Sequence, residues 1–229
     1  MAKRSKRYQA AAKLIEPGRA YDLPEAVAVL YQMPKPKFDA TINVVVRLGV
    51  DPKRAEQAIR GTLSLPHGVG KERKVLAFAK GEKAQEAQQA GADFVGEKEL
   101  IEKVAGGWMD FDVAIATPDL MKEVSRLGKV LGPRGLMPSP KSGTVADDVG
   151  RAVAEFKKGK ISFKNDAYGI VHVVAGKASF PKEKVQENLQ AIFQTLHKMK
   201  PASAKGTYIL SGYLNAAMTP SIKLNTAKL

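Results

Sequence analysis

Lys74-Val-Leu-Ala-Phe-Ala79 is followed by Gly81, an Ala/Gln-rich stretch over 82–90, Gly91, and then Asp93-Phe-Val95. A short apolar run bounded by charges and glycine reads as a buried strand, and the Ala/Gln stretch ended by glycine as a helix. The alternation continues. Residues 93–95 read as a second strand, 97–105 as a helix, Asp112-Val-Ala-Ile-Ala-Thr117 as a third strand, 118–124 as another helix and 147–158 as an amphipathic helix. Strands this short, each followed by a helix, predict a small parallel sheet covered by helices, a Rossmann-like α/β arrangement.

The flanks differ. Residues 8–15 read as a helical stretch. Asp22-Leu-Pro-Glu25 reads as a helix start, with an Asp cap, Pro in the first turn and Glu three residues after the cap; Pro34 and Pro36 stop the helix near Met33. Thr41-Ile-Asn-Val-Val-Val-Arg-Leu-Gly49 is β-rich and partly alternating, a strand. Beyond the middle segment, 161–164 and 168–174 flank the turn pair Asn165-Asp166 and read as a β-hairpin. Residues 181–200 form a long helix, with Val185, Leu189, Ile192, Phe193 and Leu196 on one buried face. Residues 206–214 and 221–224 read as strands. The flanks together thus predict an α+β domain with an antiparallel sheet.

Charge divides the chain the same way. The 229 residues carry 37 Lys and Arg against 23 Asp and Glu, a formal charge of +14. Residues 1–67 hold 12 cations and 6 acids, 68–159 hold 15 and 14, and 160–229 hold 10 and 3. Two distant segments share the excess while the stretch between them is balanced. The expectation is one basic domain built from 1–67 and 160–229, with a neutral domain, 68–159, inserted at a host loop through the glycines Gly68, Gly70 and Gly159 as hinge. Concentrated positive charge calls for a polyanion, nucleic acid first. Lys3, Arg4, Lys6 and Arg7 would reach flanking phosphates. The longest strictly apolar run, 26–31, is far short of a membrane span, and no Cys is present for a disulfide or thiolate site. A cytoplasmic protein with no membrane partner is expected.

Catalytic readings fare poorly. Gly68-Val-Gly-Lys71 is the nearest approach to a phosphate loop, but a Walker loop needs Gly at 65 and Ser or Thr at 72, where the chain has Leu65 and Glu72. It also precedes its strand. No Gly-x-Gly-x-x-Gly follows any strand. His67, His172 and His197 lack the close spacing of metal ligands. Asp110, Asp112 and Asp119 surround the third strand and could pair as acid and base, though carboxylates at strand ends more often cap or face solvent. Trp108-Met-Asp-Phe111 reads as packing at a helix–strand junction. No enzyme, cofactor or metal is expected. A nucleotide-binding Rossmann-like enzyme and an RNA-binding regulator stand as alternative readings.

Gly128-Lys-Val-Leu-Gly-Pro-Arg-Gly-Leu-Met-Pro-Ser-Pro-Lys-Ser-Gly143 holds four glycines, three prolines and three cations with no acid. Its punctuation predicts an irregular ordered loop rather than helix or strand. Physics leaves two readings level, an anion-contacting loop and a structural loop whose glycines permit tight packing. Leu131-Gly-Pro-Arg-Gly-Leu-Met-Pro-Ser-Pro-Lys141 within it closely resembles the signature of the ribosomal protein L-one family of the large subunit. Lys37-Phe-Asp39, Arg60-Gly-Thr-Leu-Ser-Leu-Pro-His-Gly68, Gly107-Trp-Met-Asp-Phe-Asp112 and Gly176-Lys-Ala-Ser-Phe180 agree with its bacterial branch, in order along nearly the whole chain.

The resemblance implies an RNA-binding domain made from both termini and an inserted Rossmann-like domain. It implies binding to the stalk region of large-subunit rRNA beside the exit site, help in releasing deacylated tRNA, contact with other components of the large subunit, and repression of translation through the protein's own mRNA. Carried over by matching positions, the RNA surface would include Lys37, Phe38 and Thr41, then Lys164 and Asp166 on the hairpin, Ser211 on the next strand, and Met218, Thr219, Pro220 and Ser221 on the following loop. Gly132, Pro133, Arg134, Gly135 and Lys141 form the signature loop. The family commonly has Thr-Met-Gly-Pro where this chain has Ala217-Met218-Thr219-Pro220, so a hydroxyl is absent at 217, and 219 gains a β-carbon and a hydroxyl.

Overall fold

The computed structural model describes residues 4–52, 54, 56–204 and 206–228; Lys3 lies outside them. In chain order, α1 (Lys6–Ala12), α2 (Leu23–Gln32), β1 (Thr41–Leu48) and β2 (Arg60–Ser64) open the fold. The middle contains β3 (Val75–Phe78), α3 (Glu82–Gln89), β4 (Phe94–Gly96), α4 (Lys98–Ala105), β5 (Val113–Ala116), α5 (Met121–Val124), α6 (Gly128–Leu131) and α7 (Val149–Lys157). β6 (Lys160–Lys164), β7 (Ile170–Lys177), α8 (Lys182–Lys198), β8 (Ile209–Ala216) and β9 (Ile222–Leu224) follow. Residues 1–70 with 163–229 form one compact unit, and residues 71–162 a second. The first is α+β with an antiparallel sheet and the second α/β with a small parallel sheet, as the patterning predicts.

In the first unit the strands lie in the order β7-β1-β8-β9. β1 runs antiparallel to β7 and β8, and β8 to β9. Pleating sends alternate β1 residues to opposite faces. Ile42, Val44, Val46 and Leu48 are buried to 1% exposure or less. Their face is covered by α2 and α8, which also pack on each other. α8 buries Val185, Leu189, Ile192, Phe193 and Leu196, the stripe its spacing predicts. The same face holds Asn188, which is fully buried. Its Nδ2 donates to the Gly68 carbonyl at 3.0 Å and the Ala175 carbonyl at 2.8 Å, and its Oδ1 accepts from the His67 N–H at 3.1 Å. A buried amide this well satisfied fastens the strand-leaving segment to the sheet.

Three local expectations need correction. Asp22 sits at the N-cap of α2 but makes no cap hydrogen bond; its Oδ1 accepts from Asn225 Nδ2 at 3.1 Å, so a tertiary partner has displaced the local one. β6 and β7 are not a hairpin. β6 pairs with β2, β7 pairs with β1, and between the two only the isolated Asn165–Val171 bridge forms. Asp166 sets that geometry: its Oδ1 accepts from the Tyr168 and Ile170 N–H groups, each at 2.8 Å, closing a turn that diverts the chain. β2 itself is missing from the sequence reading, because Gly61 interrupts its short alternation.

In the second unit the parallel order is β4-β3-β5. β3 and β5 are buried at every residue, as expected of strands covered on both faces. α3 and α7 close one face, where Ala87, Val153 and Phe156 meet Val75, Ala77 and Ile115. On the other, Val104, Leu120, Val124, Leu127 and Leu131 meet Leu76, Phe78 and Ala114. Residues 118–124 begin as a 3₁₀ turn, Pro118–Leu120, before α5.

The signature segment is more regular than its punctuation suggests. α6 continues into a turn in which the Gly135 N–H bonds the Gly132 carbonyl at 3.0 Å and the Leu136 N–H bonds the Leu131 carbonyl at 3.1 Å. With Gly135 at φ 70°, this is a Schellman ending, and Leu136 packs in the same cluster as Leu131. The glycine therefore supplies the left-handed residue that terminates a helix. A second turn, Pro140–Ser142, then brings Val145 alongside Ala116 at the edge of β5.

Candidate nucleic-acid interface

The sheet face of the first unit that α2 and α8 leave uncovered is set by the β1 alternation. Thr41, Asn43, Val45 and Arg47 point away from the helices. Register places Arg47 between Ile170 and Ser211, Val45 between His172 and Tyr213, and Asn43 between Val174 and Asn215. Tyr213 lies opposite Lys223 on β9. The result is a surface of hydroxyls, amides, cations, an imidazole and a phenol ring, with Val45, Ile170 and Val174 between them, drawn from both ends of the chain. Among the described residues, Lys37, Arg47, Lys164 and Lys223 make no ion pair, so their charge is available to an outside anion.

At one end of this face, segments from both termini are tied together. Lys177 Nζ donates to Thr41 Oγ1 at 2.9 Å. The Thr41 carbonyl accepts from the Ala217 N–H at 2.9 Å, and the Ala40 carbonyl from the Ala178 N–H at 2.8 Å. Asp39 accepts from the Ser179 N–H and hydroxyl at 3.0 and 2.9 Å. These bonds hold the 37–39 loop beside the 216–220 loop and leave Phe38 48% exposed. A cleft lined by Tyr31, Pro34, Pro36, Ala178 and Thr219 opens next to it.

The 216–220 loop is locked by its own side chain. Thr219 Oγ1 accepts from the Ala216 N–H at 3.0 Å and donates to the Ala216 carbonyl at 2.9 Å. Met218 is the one described non-glycine residue with positive φ, 62°, and is 68% exposed. A bulky residue held there is strained and presented outward. The hydroxyl that Thr219 brings is thus engaged within the loop rather than offered to a ligand. Ser221 is exposed beside it, and Pro220 is buried beneath.

The remaining expected residues are spread more widely. Lys164 is exposed at the end of β6 and Ser211 half-buried on β8. Asp166 is committed to its turn, and the Ile170 N–H, ahead of the Tyr168 N–H, holds its carboxyl below the ordinary range. Arg4 stacks over the Tyr8 ring at 4.3 Å, Lys6 is exposed and Arg7 half-buried, all at the start of α1, whose Tyr8 N–H is capped by Ser5. Gly68, Gly70 and Gly159 all have positive φ. Gly70 is packed so closely that an added β-carbon would lie 2.8 Å from the Phe180 ring. Asn43, Arg47, His172, Tyr213, Asn215 and Lys223 share this face, and sequence reading singles out none of them for it. The signal was present in Thr41-Ile-Asn-Val-Val-Val-Arg-Leu48, where odd positions carry the polar residues; facing strands could not be aligned without knowing the pairing.

Two of the three candidate carboxylates, Asp110 and Asp112, are engaged by lysines. Asp112 accepts from Lys71 Nζ at 2.8 Å and from the Lys74 N–H at 3.2 Å, and Asp110 from Lys74 Nζ at 2.7 Å through both oxygens. Burial alone would raise the Asp112 pKa, but these bonds outweigh it and hold it below the ordinary range. Asp119 is exposed. His67 Nε2 meets Glu187 at 2.5 Å. Among the described residues, no group of three His, Cys, Asp or Glu is placed to hold a metal. Trp108 packs edge-on against Phe94 at 4.7 Å and under Lys103, as junction packing predicts.

Comparison with known proteins adds the following. The family model described as Ribosomal protein L1p/L10e family matches residues 30–220. The "Large ribosomal subunit protein uL1" of Kosmotoga olearia is 53% identical over 228 residues, covering all of this chain and 99% of that protein. The protein of the same name in Lactiplantibacillus plantarum is 51% identical over 227 residues, covering 99% of each.

Proposed function

The chain belongs to the ribosomal protein L1p/L10e family, and on that premise we propose how it works as a constituent of the large ribosomal subunit in the cytoplasm. The unit formed by both chain ends is its RNA-binding domain, and the middle unit is a domain inserted into it. The RNA is the stalk region of large-subunit rRNA beside the exit site, and the same surface binds a similar structure in the protein's own mRNA, repressing translation. The stalk so held assists release of deacylated tRNA from the exit site. The role is one of binding rather than catalysis.

The observation that carries this reading is the uncovered sheet face. Thr41, Arg47, Ser211 and Tyr213 come from both ends of the chain onto one surface next to exposed Phe38 and Met218. Residues 1–70 and 163–229 hold 21 cations against 9 acids, net +12 of the chain's +14. Structured RNA is read by shape, through 2′-hydroxyls and phosphates, and this calls for small polar groups and cations on a fixed backbone. Phe38 and Met218 add apolar edges for unstacked bases.

A hydroxyl-radical footprint of the protein on total ribosomal RNA tests the reading. Protection confined to the stalk helices of large-subunit RNA, weakening by roughly 0.7–0.9 log units per log unit of salt for each neutralised phosphate, is expected. Protection elsewhere, or a salt-independent footprint, contradicts it.

A further inference from the structure

With no cysteine in the chain, methionine supplies its only sulfur. Six of the seven methionines lie among the described residues, and five of these are shielded. Met33 is buried to 3% exposure. Met109, Met121 and Met137 are half-buried and pack against the second unit's cluster of Leu76, Phe78 and Leu131. Met199 is also half-buried, and its sulfur would lie 2.8 Å from a β-carbon added at Gly61. Met218 differs, with 68% of it exposed.

The turn after β8 is what exposes it. The Thr219 N–H and hydroxyl both donate to the Ala216 carbonyl, at 3.0 and 2.9 Å, and the Ala217 N–H donates to the Thr41 carbonyl at 2.9 Å. Within that frame Met218 takes φ 62°. A non-glycine residue persists in this strained conformation only where its surroundings over-determine it, as these bonds and buried Pro220 do. None of these restraints involves the Met218 side chain. Chemistry at its sulfur therefore changes the surface and leaves the fold intact.

We propose that Met218 is an oxidation site through which peroxide reversibly weakens RNA binding by the first unit. The inference rests on the reading of that unit as the RNA-binding domain. In the step, a sulfur lone pair attacks one oxygen of hydrogen peroxide. The S–O bond forms, the O–O bond breaks, and the departing hydroxide takes the remaining proton and leaves as water. Sulfur loses two electrons and the peroxide gains them. A flexible apolar thioether becomes a polar, chiral sulfoxide. Its oxygen carries partial negative charge, which phosphates repel, and its hydration must be stripped before an unstacked base can lie against it. Thiol-dependent sulfoxide reductases, one for each epimer, reverse the step: two thiols become a disulfide and the oxygen leaves as water.

The full-length protein is treated with hydrogen peroxide, the excess is removed with catalase, and peptide mass spectrometry follows oxygen uptake at each methionine. Met218 is expected to oxidise about tenfold faster than Met33, Met109, Met121, Met137 or Met199. A stalk rRNA fragment is then titrated into each protein before and after treatment. Wild-type affinity falls about tenfold, the size of one lost base contact, while the urea midpoint stays unchanged. Sulfoxide reductases for both epimers, with dithiothreitol, restore the affinity. Met218→Leu, compared only with itself, loses nothing on treatment although it keeps every other methionine. Earlier oxidation of another described methionine, an unchanged wild-type affinity, or an equal loss in Met218→Leu overturns the inference. Failure of the untreated protein to bind the fragment strikes the reading of the first unit and, with it, the inference.

Discussion

At the scale of single residues, Thr219 shows how a departure from the family pattern is absorbed. Where the family commonly has glycine, the hydroxyl here bonds both the N–H and the carbonyl of Ala216. Those two bonds fix the loop that holds Met218 at φ 62°. Thr219→Val keeps the shape and removes both bonds, about 1 kcal/mol of loop order. Stalk RNA affinity should then fall about fivefold, which direct titration measures; an unchanged affinity would detach the loop from binding. Tyr208 is the opposite case. Its hydroxyl is buried without a hydrogen-bond partner, and burial pushes its pKa up to about 12. The folded protein thus favours the neutral phenol, so this group's contribution is constant below pH ~10 and is lost as pH rises from there through about 12. Urea midpoints at pH 8 and pH ~11 should show Tyr208→Phe equal to or slightly better than wild type at the first, and ahead by more at the second. A gap that does not widen with pH would mean that the hydroxyl reaches water.

At the scale of elements, Asn188 joins α8, β7 and the end of the first chain segment through three hydrogen bonds inside the core. Asn188→Leu leaves the His67 N–H and two carbonyls without that partner and should cost roughly 3 kcal/mol in chemical denaturation; a neutral result would mean those groups reach water. The element scale also shows what the sequence could reveal. The strands and helices of the second unit, the stripe of α8 and the polar odd positions of β1 are legible because their apolar spacing is local and regular. The β6–β7 hairpin is a misreading, since a turn pair fixes a change of direction and not a partner, and Asp166 spends its carboxylate on diverting the chain toward β1. The signature segment looks irregular because Gly and Pro mark breaks, whereas here Gly132 and Gly135 end a helix that Leu127 and Leu131 anchor. The cap at Asp22 fails for a related reason: Asn225, 203 residues away, engages the side chain. Long-range partners of this kind leave no periodic trace.

At the scale of the whole molecule, the parallel and antiparallel sheets follow from patterning, and charge assigns them different chemistry. Among the described residues, the first unit pairs few of its cations and exposes aromatic and apolar side chains next to them; the second pairs seven of its sixteen and exposes no large apolar group. The RNA recognition proposed for the first unit rests on its uncovered sheet face, assembled from both chain segments. Several of the family-derived positions, Thr41 and Ser211 among them, lie on that face or at its end, while Tyr213 and Lys223 join Asn43 and Arg47 there only through strand register. Ultraviolet crosslinking of the protein to RNA in intact large subunits, with the crosslinked peptides identified by mass spectrometry, tests this most directly. The account predicts nucleotide adducts on peptides containing Phe38, Tyr213 and Met218. Adducts confined to the exposed side of α8, with none on β8 or its following loop, would contradict it.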